Sequence, residues 1–124
     1  MSASFRGAGN LGSDPELKWV DVSGEKTAVC SLRIYFDRPT PQKDGNYEDK
    51  GGFWMPVTIW RHRAESACRT LRKGMRVWVE GQLSQETWED SESGETRTTM
   101  RVTADSISLD LGRVEQVTLM RRNR

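Results

Sequence analysis

The sequence predicts an all-β domain with one short helix after its third strand. Four segments, Ala28 to Phe36, Phe53 to Trp60, Arg76 to Leu83 and Arg97 to Leu111, alternate apolar and polar residues with the two-residue period of an extended chain. A single segment, His62 to Lys73, carries helical spacing instead. Glycines and prolines fall between or at the bends of these segments. At 124 residues the chain fits one domain, large enough to bury a core without disulfide staples.

The first strand is expected between about Phe5 and Val22, broken or bent around Gly7, Gly9, Gly12 and Pro15, with Leu17-Lys18-Trp19-Val20 of strand-like composition. Trp19 is assigned to packing. In the next strand Cys30, Leu32, Ile34 and Phe36 point inward, leaving Ser31, Arg33 and Tyr35 on the other face. Asp37 to Gly52, rich in Pro, Gly, Asp and Lys, reads as a long hairpin loop. In the third strand Phe53, Met55, Val57 and Ile59 make an apolar stripe opposite Trp54, Pro56, Thr58 and Trp60. The helix presents Ala64, Ala67, Cys68 and Leu71, and Gly74 supplies its stop.

The fourth strand turns Val77, Val79 and Leu83 inward and Trp78, Glu80 and Gln82 outward, with Gly81 as the site of a bulge or sharp bend, and it continues toward Trp88. Glu89 to Glu95 forms the next loop. In the last strand Thr98, Met100, Val102 and Ala104 face in, followed by Ile107, Leu109 and Leu111, while Arg97, Thr99, Arg101 and Thr103 face out. Three strands, a helix and two more strands match the five-stranded OB barrel, with its helix between strands 3 and 4. The barrel is assigned to residues 1–112, followed by a short basic extension at 113–124.

No apolar run is long enough to span a membrane, and the N-terminus lacks a basic segment followed by a hydrophobic stretch, so the cytoplasm is the expected location. Cys30 and Cys68 are read as two buried thiols, and one histidine, His62, cannot complete a metal shell. No metal or cofactor is expected. Nothing resembles a nucleophile with its base, so the chain is not read as an enzyme.

The formal charge is only +1, but it is unevenly spread. Arg61 to Arg76 holds six bases against Glu65, whereas Glu86 to Glu95 holds five acids and no base. Such runs are commonly just solvated faces, so the charge supports a function argued from elsewhere. That argument is aromatic. A protein needing only a core places its largest rings among its aliphatics, whereas Trp54 and Trp60 share the face opposite a complete apolar stripe. Rings displayed there call for a flat partner, and unpaired nucleic-acid bases are the commonest.

Several motifs then occur in a fixed order: Gly9-Asn10-Leu11-Gly12-Ser13-Asp14-Pro15-Glu16-Leu17, Trp54, Leu71-Arg72-Lys73-Gly74, Val79-Glu80-Gly81-Gln82-Leu83 and Trp88-Glu89-Asp90. In this the chain resembles bacterial single-stranded DNA-binding proteins over roughly Phe5 to Leu111. The resemblance implies that Trp54, Trp60 and Trp88 stack on bases and that Lys73 and Arg97 contact phosphates. Arg33, Tyr35, Arg101 and Lys18 complete the candidate single-strand site. It also implies a homo-oligomer, a tetramer before a dimer, with Trp78 near a subunit contact.

The departures are specific. Ser84-Gln85-Glu86-Thr87 leads to Trp88 with an acid and no base, and Pro56 stands where a base is common. Weaker phosphate affinity through this hairpin is expected. The final residues, Arg121-Arg122-Asn123-Arg124, are basic where the family commonly carries an acidic recruiting tip, so no recruitment of repair enzymes through such a tail is expected. Val114, Val117 and Leu119 are candidates for an extra strand or a subunit contact. Two other readings remain open at this stage, a primosome-type accessory OB protein and a protein–protein adaptor docking through the Glu86 to Glu95 loop.

Overall fold

The computed structural model describes residues 3–37, 39–41, 47–49 and 51–121. Eight strands and one α-helix are found among them: β1 (Ala3–Leu11), β2 (Glu16–Val22), β3 (Glu25–Phe36), β4 (Pro39–Pro41), β5 (Tyr47–Asp49), β6 (Phe53–Trp60), α1 (His62–Thr70), β7 (Arg76–Glu89) and β8 (Thr96–Leu109). β1 pairs with β7, β7 with β8, β8 with β6 and β6 with β3, and β3 returns to β1. These five strands form the OB barrel, and α1 lies between its third and fourth members, as the sequence predicts. Among the described residues only the β6–β8 pairing is parallel.

The bent first strand is two strands laid end to end along β3. Leu11 pairs with Ile34 and Glu16 with Ser31, so four residues, Gly12 to Pro15, span the two positions between those partners. β4 and β5 form a short hairpin inside the Asp37 to Gly52 loop, part of which lies outside the described residues. In β7 and β8, Glu80 faces Ser106 but Gly81 faces Ala104, leaving Asp105 as the extra residue of the expected bulge. A Cβ at Gly81 would stand 2.2 Å from the Thr103 carbonyl oxygen, so only glycine permits this approach.

The inward residues meet in one core. Cys30, Leu32, Ile34, Phe36, Val57, Ile59, Val77, Val79 and Val102 are buried, and Ala64, Ala67 and Leu71 of the helical segment close the barrel's end. Fully burying side chains of this size is worth about 1.5–3 kcal/mol each before the entropy of ordering. Arg76 ties the barrel's rim. Its Nη1 and Nη2 donate to Asp37 at 2.7 and 2.8 Å, and Nη1 also donates to Asn10 at 2.8 Å. This guanidinium holds the Asp37 carboxyl below its ordinary range.

Several expectations are corrected. The helix ends at Thr70 and not Lys73, because Leu71 turns extended to plug the core while its N–H still bonds the Ala67 carbonyl. Phe53 lies half-exposed beyond the apolar stripe, and Thr58, on the outer face, is buried between its cross-strand neighbours Ser31 and Thr103. Thr98 and Met100 are exposed because the β7–β8 hairpin projects past the core as a two-stranded arm. Leu111 is exposed in a single 3-10 turn (Leu111–Arg113). Val114, Val117 and Leu119 form no strand, and residues 122–124 lie outside the described residues. Trp19, assigned to packing, is 54% exposed. Cys30 and Cys68 are free thiols, but only Cys30 is buried as expected, Cys68 being partly exposed, and the two touch. The Cys68 Sγ donates to the Cys30 Sγ at 2.9 Å, and burial pushes the Cys30 thiol up.

Candidate nucleic-acid interface

The site is built from cross-strand rows, because side chains directly opposite in a ladder share a face. Tyr35 of β3 faces Trp54 of β6, Arg33 faces Pro56, and Val29 faces Trp60. Lys18 of β2 extends the last row, since it faces Val29 from the other side. Trp54 and Trp60 are six residues apart on one strand, or roughly 20 Å. They are 48% and 37% exposed, respectively.

The Trp54 indole is held in place. The Arg33 guanidinium lies 4.8 Å from its centroid, and the Tyr35 ring stands beside it at 5.3 Å, tilted by 59°. On another side the indole lies against Gly12, where a Cβ would come within 2.4 Å of Cζ3. Gly12 is therefore the seat of the ring, a role that the sequence shows only as one glycine among several.

Lys73 reaches the same corner through the backbone. Its N–H donates to the Asp14 carboxylate at 2.9 Å, Gly74 N–H donates to the Leu11 carbonyl, and Leu11 N–H donates to the Met75 carbonyl. Gly74 has φ +88°, a conformation that favours glycine. The Gly9 to Leu17 and Leu71 to Gly74 motifs are thus one folded unit, with Leu11 and Leu71 in the core and Asp14 joining the two turns.

Register carries the face onto the arm. Thr58 of β6 pairs with Thr103 of β8, which pairs with Gln82 of β7. Alternation from there places Arg101 opposite Ser84, Thr99 opposite Glu86 and Arg97 opposite Trp88, all on the side that bears Trp54 and Trp60. Trp88, 48% exposed, lies four residues beyond the Arg101 row, or roughly 13 Å. The structure thus gathers Arg33, Tyr35, Trp54, Trp60 and Arg101 on the barrel, with Lys18 on the adjoining β2 and Lys73 at the barrel's corner, and sets Trp88 and Arg97 on the arm.

The cations are not equivalent. Among the described residues, Arg33, Lys73 and Lys18 form no ion pair, whereas Arg101 lies 3.4 Å from Glu86, and Arg97 lies 3.0 Å from Asp90 and 3.9 Å from Glu95. Asp90 also accepts from the N–H groups of Glu92 and Ser93, which holds its carboxyl below the ordinary range. In the basic run, Arg76 is committed to Asp37, and Arg72 donates to the Cys68 and Leu71 carbonyls at the helix end. Trp78 is exposed on the outer side of β7, with the Arg6 guanidinium 5.6 Å from its ring. Among the described residues no group of His, Cys, Asp and Glu is set to hold a metal, and no helix is long and apolar enough to cross a membrane.

An OB barrel with tryptophans and guanidinium groups along its second and third strands and its last hairpin belongs to the architectures that offer a sheet face to oligonucleotides. The chain is a member of the single-strand binding protein family, whose model matches residues 8–110. It is 39% identical over 108 residues to the single-stranded DNA-binding protein of Corynebacterium glutamicum, covering 83% of this chain and 44% of that one. It is 38% identical over 106 residues to the single-stranded DNA-binding protein of Mycobacterium tuberculosis, covering 83% of this chain and 61% of that one. The chain spans about half the length of these curated relatives. In fold it is similar to the crystal structure of the small single-stranded DNA-binding protein from Streptomyces coelicolor, with a TM-score of 0.75 and 22% identity, covering 92% of this chain and 99% of that one.

Proposed function

We propose that the chain binds single-stranded DNA without regard to sequence, by stacking bases on Trp54, Trp60 and Trp88 and by pairing phosphates with Arg33, Lys73 and Lys18. Arg97 and Arg101 contribute less, because carboxylates already engage them. The observation that carries this reading is the continuous outer face, on which three half-exposed indoles follow one another from β6 to the arm. Each stacked base is worth about 1–3 kcal/mol, and every base has a flat face, so the contact tolerates any sequence. Duplex DNA hides those faces and binds poorly.

The chain's part is to protect single strands during replication, recombination, repair or transfer of a mobile element. It works as a homo-oligomer, a tetramer before a dimer, in the cytoplasm and without catalysis. The relatives' names support single-strand binding, and the exposed Trp78 offers a surface for a subunit contact. Residues 113–124 serve as a short basic extension to the barrel.

Titration with a dT oligonucleotide tests the reading. Binding quenches intrinsic tryptophan fluorescence, and the logarithmic slope of affinity against salt is about −2, from three uncommitted cations at about −0.7 each. Failure to bind dT at low salt, or equal affinity for duplex, overturns it.

A further inference from the structure

Resting on the single-strand reading above, we infer that Glu86 is an affinity-setting residue: a placeholder carboxylate that Arg101 exchanges for a DNA phosphate.

The two arginines of the β7–β8 hairpin, Arg97 and Arg101, are held in different ways. Arg97 pairs with Asp90, and that carboxylate also accepts the Glu92 and Ser93 N–H groups that shape the turn. Removing Asp90 disturbs the hairpin itself. Glu86 has no such duty, since its only recorded partner among the described residues is Arg101. Its side chain is half exposed, on the same face as Trp88 and Arg101, where a DNA backbone crossing from barrel to arm must pass.

The pair is also poorly made. Glu86 Oε2 stands 3.4 Å from Arg101 Nη2, longer than the roughly 2.7–2.9 Å of a good charge-assisted bond. The Arg101 Nε is buried and has no hydrogen-bond partner. Once the side chain swings clear of the surface that covers Nε, a phosphate can take Nε and Nη2 together in the bidentate geometry that Glu86 does not supply. Exchange therefore gains one donor contact for Arg101 and returns Glu86 to solvent, where it stands as a negative charge beside the DNA. The residue thus restrains affinity twice, by occupying Arg101 beforehand and by facing phosphate afterwards.

The test is a double-mutant cycle on affinity for a fluorescein-labelled dT oligonucleotide, with melting curves to confirm that each exposed-site variant is folded. Glu86→Gln tightens binding roughly three- to tenfold at low salt, the scale of one charge pair near the surface. It also steepens the salt slope by up to about 0.7. In an Arg101→Met background the same change tightens binding by a clearly smaller factor, because only the repulsion between Glu86 and phosphate is left to relieve. Unchanged affinity in Glu86→Gln overturns the inference, as does equal tightening in both backgrounds, which marks simple repulsion. Failure of the parent chain to bind dT at all overturns the single-strand reading instead.

Discussion

Replacing Gly12 with alanine separates the binding face from the barrel beneath it. The added Cβ would stand 2.4 Å from Cζ3 and 2.6 Å from Cη2 of Trp54, closer than carbon atoms approach, so one partner has to move. The backbone contact is ordinary, with the Arg33 carbonyl oxygen 3.6 Å away, and the indole is half exposed, so the ring swings out rather than the strand. Stability falls by about 0.5–1 kcal/mol, the scale of the lost guanidinium contact. Binding loses up to a full stacking contribution, about 1–3 kcal/mol, or roughly 5- to 150-fold in affinity. The assay pairs a dT titration with thermal melting and tryptophan emission. A variant with shifted emission but parental affinity would refute the assignment of Trp54 to the site. A variant that unfolds would refute the claim that Gly12 serves the ring and not the barrel.

Gly81→Ala should behave in the opposite way, since its Cβ meets backbone at 2.2 Å. It lowers unfolding free energy by about 1–3 kcal/mol, and a melting temperature equal to the parent's would contradict the close β7–β8 approach. Asp37 has its pKa depressed by Arg76, so its contribution is present above the unfolded value of 3.8 and is lost as pH falls through the lower folded value. Asp37→Asn costs about 1.5–3 kcal/mol at neutral pH and flattens the acid limb of the stability curve, whereas an unaltered acid limb speaks against the pair. Diamide, which accepts the two thiol hydrogens, is expected to link Cys30 to Cys68 and to raise unfolding free energy by about 2–4 kcal/mol; two titratable thiols after treatment would count against their contact.

Much of the barrel is written in the sequence because alternation and burial coincide there. Cys30, Leu32, Ile34 and Phe36, with Val77 and Val79, face the core as their spacing requires, and Gly81 sits at the bulge because nothing larger fits. Alternation fails where the core ends, as at Phe53, Met100 and Leu111, since the period of a strand does not report whether anything covers its inward face. Trp19, read as a packing residue, is exposed because β2 lies outside the closed set of five strands.

The site is legible only in part. The outward parity of Trp54 and Trp60 is visible within one strand, but the face that joins them to Trp88 depends on β6–β8 register, which no local pattern encodes. Ion pairing is hidden similarly. Arg33 and Arg101 look alike in sequence, yet one lies over an indole and the other faces Glu86. The contact of Cys30 with Cys68 likewise comes from packing α1 on β3, across a separation of 38 residues.

Photo-crosslinking with an iododeoxyuridine-substituted oligonucleotide, mapped by mass spectrometry, tests the central claim most directly. Adducts on Trp54, Trp60 and Trp88, with Trp78 left unmodified, are the predicted result. Adducts confined to Trp78 or Trp19, with the β6 and arm indoles untouched, would contradict it.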